Sequence, residues 1–238
     1  MPKLDVVDLG LRPWGEAWSI QRDLVERRKA GLVPDTLLFV EHPHVITMGR
    51  NSSESNILAS RDTLARLGVA IHEANRGGDV TYHGPGQLVG YPIFDLTGWN
   101  KDVRAYVQAI EQAVIRTLAG FDIVAHTRDG KETGVYVMLP NGKPAKICAL
   151  GVHISRWVTS HGFALNIDTD LGYFQHIVPC GLMLPVTSMR ALGASATRHE
   201  VIGVLTRHIA EIFQHTQHTP CTDFFTEPLQ ETVACLMS

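Results

Sequence analysis

Strand-like runs outnumber helical ones along this 238-residue chain, and that imbalance limits its fold more than any other feature. Short stretches at 36–40, 45–48, 69–72, 88–93, 134–139, 145–154 and 161–167 alternate in polarity or are rich in Val and Ile, as half-buried strands are. Asn141-Gly142, between two of them, is a hairpin signal. Three segments carry helical spacing instead. At 13–30, Trp14, Ala17, Trp18, Leu24 and Val25 share a stripe, with Pro13 at the start and Gly31 at the end. With Asn100 as its cap, a second helix repeats Val103, Tyr106, Val107, Ile110, Ala113, Val114 and Leu118 until Gly120. The third, over 197–215, turns Val201, Val204, Leu205, His208, Ile209, Ile212 and Phe213 inward. These helices are too few to cross over after every strand. The expected fold is therefore α/β of the α+β kind: a mixed β-sheet flanked by helices, in one domain over 1–238. No G-x-G-x-x-G follows a strand and opens a helix, which argues against a dinucleotide-binding domain.

Bulk properties narrow the function by exclusion. The formal net charge of −3 gives no basic face for nucleic acid. The local run Glu26-Arg27-Arg28-Lys29, with Arg61 and Arg66 further on, reads as a solvated helix face. The four cysteines include no C-x-x-C pair, which suits a reducing compartment and neither a disulfide framework nor a zinc knuckle. Residues 1–8 carry two acids and no long apolar run, unlike a secretory or transit segment. No stretch approaches the ~18 apolar residues of a membrane span. A cytoplasmic protein that avoids membranes is expected. His42-Pro43-His44 lacks the further ligands a metal would need, so no metal is expected, and His208, His215 and His218 read as surface histidines.

Three segments carry chemistry. The first runs from Arg76 through Gly77, Gly78, Asp79, Val80, Thr81, Tyr82 and His83 to Tyr91. Its paired glycines admit a ligand oxygen close to the backbone, beside a guanidinium for an anion. If 80–83 is extended, Thr81 and His83 share a face and Tyr82 points away. In the second, Lys146 lies within an apolar run that continues through Cys148, Ala149, Leu150 and Gly151; such a lysine belongs either to a site or to an edge strand with its amine in water. The third, Pro179-Cys180-Gly181, presents a thiol between a residue that fixes the backbone and one that leaves space. Cys148, Cys221 and Cys235 read as structural.

Together these segments resemble the lipoyl(octanoyl) transferase family. The resemblance rests on R-G-G-x-x-T-Y-H-G-P-G-Q-x-x-x-Y from Arg76 to Tyr91, Lys146-Ile147 with Leu150-Gly151, His161-Gly162-Phe163-Ala164-Leu165-Asn166, and Pro179-Cys180-Gly181. It implies a fold shared with biotin and lipoate protein ligases. It also implies transfer of an octanoyl group from octanoyl-acyl carrier protein to a lysine of lipoyl domains, those of 2-oxoacid dehydrogenase E2 subunits and of glycine cleavage H protein. Cys180 would be the acylated nucleophile and Lys146 its acid/base. Arg76–His83, Ala149–Gly151 and Gly162–Ala164 would line the acyl and pantetheine site, with no cofactor and a monomer as the working unit. Leu150, Val152 and Phe163 are expected to wall the acyl tunnel. The alternative is an ATP-dependent lipoate or biotin ligase on the same fold, against which Cys180 argues because an acyl-adenylate needs no thiol nucleophile.

Overall fold

The computed structural model describes residues 2–128, 133–178 and 184–217. The strands, in chain order, are β1 (Lys3–Leu11), β2 (Asp35–Glu41), β3 (Val45–Met48), β4 (Ala70–Glu73), β5 (Val80–His83), β6 (Gln87–Ile93), β7 (Ala125–His126), β8 (Gly134–Met138), β9 (Pro144–Ser155), β10 (Val158–Asn166) and β11 (Thr216–Gln217). The helices are α1 (Trp14–Lys29), α2 (Arg61–Arg66), α3 (Val103–Ala119) and α4 (Arg198–Phe213). An eight-stranded sheet runs β11-β1-β2-β6-β10-β9-β8-β7, and a three-stranded sheet runs β4-β3-β5. β1 pairs in parallel with β2 and β11, and the remaining neighbours in the large sheet are antiparallel. The expected mixed sheet with flanking helices is what forms.

Alternation along the central strands sorts two cores. Val7, Leu38, Val40, Val89 and Tyr91 pack on one face beneath Ala17, Ile20 and Leu24 of α1. Val6, Leu37, Phe39 and Leu88 take the other face, with Ile110 and Val114 of α3 and Leu205 and Ile209 of α4. A side-chain period of two delivers consecutive residues to opposite layers, so β2 and β6 carry unbroken apolar pairs such as Leu37-Leu38 and Leu88-Val89. β1 escaped the sequence reading for the same reason: its acids mask a strand buried on both faces, and Asp8 is held by Arg198 of α4.

Local corrections follow from capping and ion pairing. The side chain of Asp102, not Asn100, caps α3 by accepting the Arg104 and Ala105 N–H groups. Arg28 in the basic run bridges Asp35 and Asp95. His215 is buried, 2.7 Å from Asp35, rather than on the surface, because the chain leaving α4 turns back against β1 and β2. His218, Cys221 and Cys235 lie outside the described residues.

Candidate functional site

β5 is extended, and its period of two divides chemistry from packing. Val80 and Tyr82 enter an apolar cluster with Ile46, Leu64 and Phe174, while Thr81 and His83 face a narrow cleft. The cleft lies between the small sheet and the strands β6, β9 and β10. Arg76, Gly78, Asp79, Thr81 and His83 form one wall. Ala149, Leu150 and Gly151 of β9, with Gly162, Phe163 and Ala164 of β10, form the other. In the sheet these two triplets are direct partners, Ala149 opposite Ala164, Leu150 opposite Phe163, Gly151 opposite Gly162. Segments far apart in sequence thus converge on one space.

Glycines permit that convergence. A Cβ on Gly90 would stand 2.0 Å from Phe163 Cζ, and one on Gly162 would stand 2.2 Å from the Gly90 carbonyl oxygen. Gly78 adopts φ +87°, a conformation that favours glycine. The loop ahead of β5 is pinned from behind. Arg76 Nη2 donates to the Thr47 carbonyl at 2.8 Å and to Thr47 Oγ1 at 2.9 Å, and Nη1 donates to the Gly77 carbonyl. The guanidinium therefore braces the wall it belongs to. Gly77 N–H joins the loop to β9 through the Val152 carbonyl at 2.9 Å, and Asp79 holds Asn56 at 2.6 Å.

His83 heads a buried polar chain. Gln87 Nε2 donates to Asn166 Oδ1 at 2.9 Å, which leaves Gln87 Oε1 to accept from His83 Nδ1–H at 2.7 Å. Asn166 Nδ2 then donates to the Thr187 carbonyl at 2.9 Å. Burial, reinforced by the neighbouring His42, brings His83 down to about 3, so the ring is neutral. His42 is likewise brought to about 4 by burial, between the Arg12 carbonyl and the Tyr91 hydroxyl.

His161 lines the cleft although the motif reading placed only its neighbours there. It holds φ +55°, a strained value for a side chain with Cβ. Its N–H donates to Gln21 Oε1 at 2.9 Å, its Nε2 meets Asn75 Oδ1 at 2.6 Å, and its ring stacks on Trp18 at 4.5 Å. Burial and the Arg76 charge bring it to about 3. Trp14, Val89 and Tyr91 also line the cleft. The latter pair was visible inside the Arg76–Tyr91 block; Trp14 and the Gln21 brace were not, since a helix stripe reads equally well as core.

Lys146 borders a further small cavity, shared with Gln87, Asn166, Phe174 and Val186. Thr81, Ala149 and Ala164 border both spaces, so the lysine stands at the far end of the same cleft. It is 8 % exposed, which favours a site lysine over an edge-strand one. A β-bulge positions it: Tyr136 pairs with Lys146 but Val135 with Cys148, leaving Ile147 unopposed. Ile147 and Cys148 therefore both enter the core, with the Cys148 thiol pushed up by burial. Lys146 Nζ approaches the Thr133 carbonyl at 3.4 Å and lies 5.3 Å above the Tyr136 ring. Cys180, with Pro179 and Gly181, lies outside the described residues.

Residues 13–210 match the family model of the lipoyl protein ligase A/B catalytic domain. The chain is 58% identical over 205 residues to an octanoyltransferase of Solibacter usitatus, covering 86% of this chain and 90% of that one. It is 51% identical over 215 residues to an octanoyltransferase of Koribacter versatilis, covering 89% and 84%. Its fold is similar to that of a putative lipoate protein ligase from T. acidophilum with bound lipoic acid, with a TM-score of 0.72 at 16% identity over 98% of this chain and 93% of that one.

Proposed function

We propose that this chain, which belongs to the lipoyl protein ligase A/B catalytic-domain family, moves its acyl group by way of a thioester on Cys180, with Lys146 as the proton partner. It is an acyltransferase that transfers octanoyl groups in protein lipoylation. Octanoyl-acyl carrier protein is the donor in this reading and a lipoyl-domain lysine the acceptor, in the cytoplasm. A monomer is the working unit in this reading. Among the described residues, no helix is long and apolar enough to cross a membrane.

The observation that carries the reading is the convergence of both strand triplets, the glycine loop and Lys146 on one cleft. Its Phe163, Leu150 and Val89 stretch suits an alkyl chain, and its far end offers a lysine for proton transfer. The chain itself supports a meeting of Cys180 with Lys146. Lys146 N–H donates to the Pro185 carbonyl at 2.9 Å, and Cys180 precedes Pro185 by five residues, a tether of at most roughly 18 Å.

Lys146 takes the thiol proton as the Cys180 sulfur attacks the donor thioester carbonyl. The pantetheine thiolate leaves and receives that proton, so one thioester replaces another. The acceptor amine next attacks the octanoyl carbonyl and gives its proton to Lys146, an amide forms, and Cys180 is released. No ATP enters, because the donor is already activated.

Intact-mass measurement after mixing with octanoyl-acyl carrier protein, without ATP, tests this. One hydroxylamine-labile octanoyl adduct is expected, lost in Cys180→Ser, retained in Cys148→Ser and formed slowly in Lys146→Ala. Full transfer to a lipoyl domain by Cys180→Ser would refute the covalent route.

A further inference from the structure

We propose that Glu111 is a positioning residue for Lys146: from the core side of the sheet, its buried carboxylate keeps the lysine amine oriented and charged at the end of the cleft. The inference rests on the reading of Lys146 as the proton partner and gives that reading a second, hidden member.

Glu111 lies midway along α3, in the face that contributes Ile110, Ala113, Val114 and Leu118 to the main core. It is 6 % exposed. A carboxylate among apolar neighbours is strongly disfavoured unless it is hydrogen-bonded and paired, so a packing role alone would call for Leu or Met at this position. Its Oε1 accepts the Gly134 N–H at 2.9 Å.

Gly134 is also where Lys146 passes. A Cβ at Gly134 would stand 3.2 Å from Lys146 Cε, 3.5 Å from Lys146 Cδ and 2.8 Å from the Cys148 carbonyl oxygen. The glycine, at φ +145°, thus offers its N–H to the glutamate and its bare α-carbon to the lysine stem. One residue gathers both side chains. Burial raises the Glu111 carboxyl, and the Gly134 N–H and the Lys146 charge draw it back down. That attraction is reciprocal, so an ionised Glu111 favours the ammonium form of Lys146.

The other described groups around the lysine do not supply this. β8 presents the Tyr136 ring, with the Arg128 guanidinium on that ring at 5.3 Å; Thr133 presents a carbonyl; β9 itself presents the Cys148 thiol. Across the cavity stand the neutral Thr81, Gln87 and Asn166. Among the described residues there, Glu111 is the acidic group. An amine facing an apolar cleft loses its proton more readily as substrate displaces water. A carboxylate one layer behind opposes that loss and, being outside the cleft lining, adds no competing base or nucleophile beside the thioester.

Single-turnover rates of both half-reactions, acylation by octanoyl-acyl carrier protein and transfer to a lipoyl domain, are measured against pH in the full-length protein. Glu111→Gln keeps an oxygen for the Gly134 N–H and removes only the charge. The transfer rate should rise with pH as Lys146 becomes neutral, and in Glu111→Gln that limb should move about one unit lower, a tenfold easier deprotonation. Acylation at neutral pH should slow by roughly tenfold, since a less basic Lys146 amine draws the thiol proton less and leaves less thiolate. An unmoved limb in Glu111→Gln, even with a lowered melting temperature, would make the glutamate merely structural and overturn the proposal. Should Glu111→Gln not fold, Glu111→Asp, whose shorter arm draws the charge back from Gly134, must shift the limb in the same direction by less, and an unmoved limb is again fatal. A limb that survives in Lys146→Ala would instead remove Lys146 from the proton step, so failure of the functional reading is distinguished from failure of Glu111.

Discussion

Lys146 and Val186 face each other in a parallel bridge, with the Lys146 N–H donating to the Pro185 carbonyl and the Thr187 N–H donating to the Lys146 carbonyl, each at 2.9 Å. The chain that returns after Cys180 is thereby fastened to the strand that carries the lysine. Asn166 fastens the same segment from β10, through Nδ2 to the Thr187 carbonyl, while its Oδ1 accepts from Gln87.

Replacing Asn166 by Ala should therefore lower both stability and rate. It leaves the buried Gln87 amide and the Thr187 carbonyl each short of a partner, at about 1–3 kcal/mol apiece. Urea denaturation should show a loss in that range or above, and acyl-enzyme formation should slow even well below the new unfolding midpoint. Rates equal to the parent in the folded variant would show that the anchor does not serve the site.

Chain-length preference should follow the cleft wall. Phe163 and Leu150 are direct partners across β10 and β9, and Gly90 leaves the space that the Phe163 ring occupies. Phe163→Leu should improve ten- and twelve-carbon donors relative to octanoyl, at about 1–3 kcal/mol of stability. Gly90→Ala should displace the ring and favour six-carbon donors. Competition between acyl-carrier substrates of different length, read by mass, checks both; an unchanged preference would place the acyl chain elsewhere.

Acid should destabilise the protein within a defined window. His42, His83 and His161 sit at about 4, 3 and 3 in the fold, below the ordinary 6.5, because burial disfavours their charged forms. Between pH 6.5 and 4 the unfolded chain binds more protons than the folded one, so stability falls with pH, by up to about 1.4 kcal/mol per unit for each histidine. Above 6.5 their contribution is constant. Denaturation midpoints should change little from pH 7.5 to 6.5 and fall increasingly steeply at 6 and 5, with a shallower slope in His42→Gln. A flat profile from 7.5 to 5 would contradict neutral burial.

Much of the architecture is legible in one dimension, because local chemistry dictates it. The stripe from Trp14 to Val25, the third helix with its inward Val201, Leu205 and Ile209, and strand runs such as 45–48 need only nearby residues to be recognised. The divided faces of Val80–His83 follow from strand period alone. It was the family resemblance that implied Arg76–His83, Ala149–Gly151 and Gly162–Ala164 as one candidate site.

Other features depend on partners that sequence distance conceals. β1 looks acidic until Arg198 answers Asp8 from 190 residues away, and His215 looks exposed until Asp35 meets it. The bulge at Ile147 is a mismatch between two strands, so neither strand alone displays it. Glu111 occupies an ordinary helical position, beside Ile110 and three residues before Val114, and only the packing of α3 against the start of β8 brings it to Gly134 and Lys146. Side-chain type and short-range spacing mark most of the strands, the three long helices and the reactive groups, because those signals are local. Which of those groups act together was decided by the tertiary structure, because electrostatic and hydrogen-bond energies depend on separation in space and on the water that burial removes.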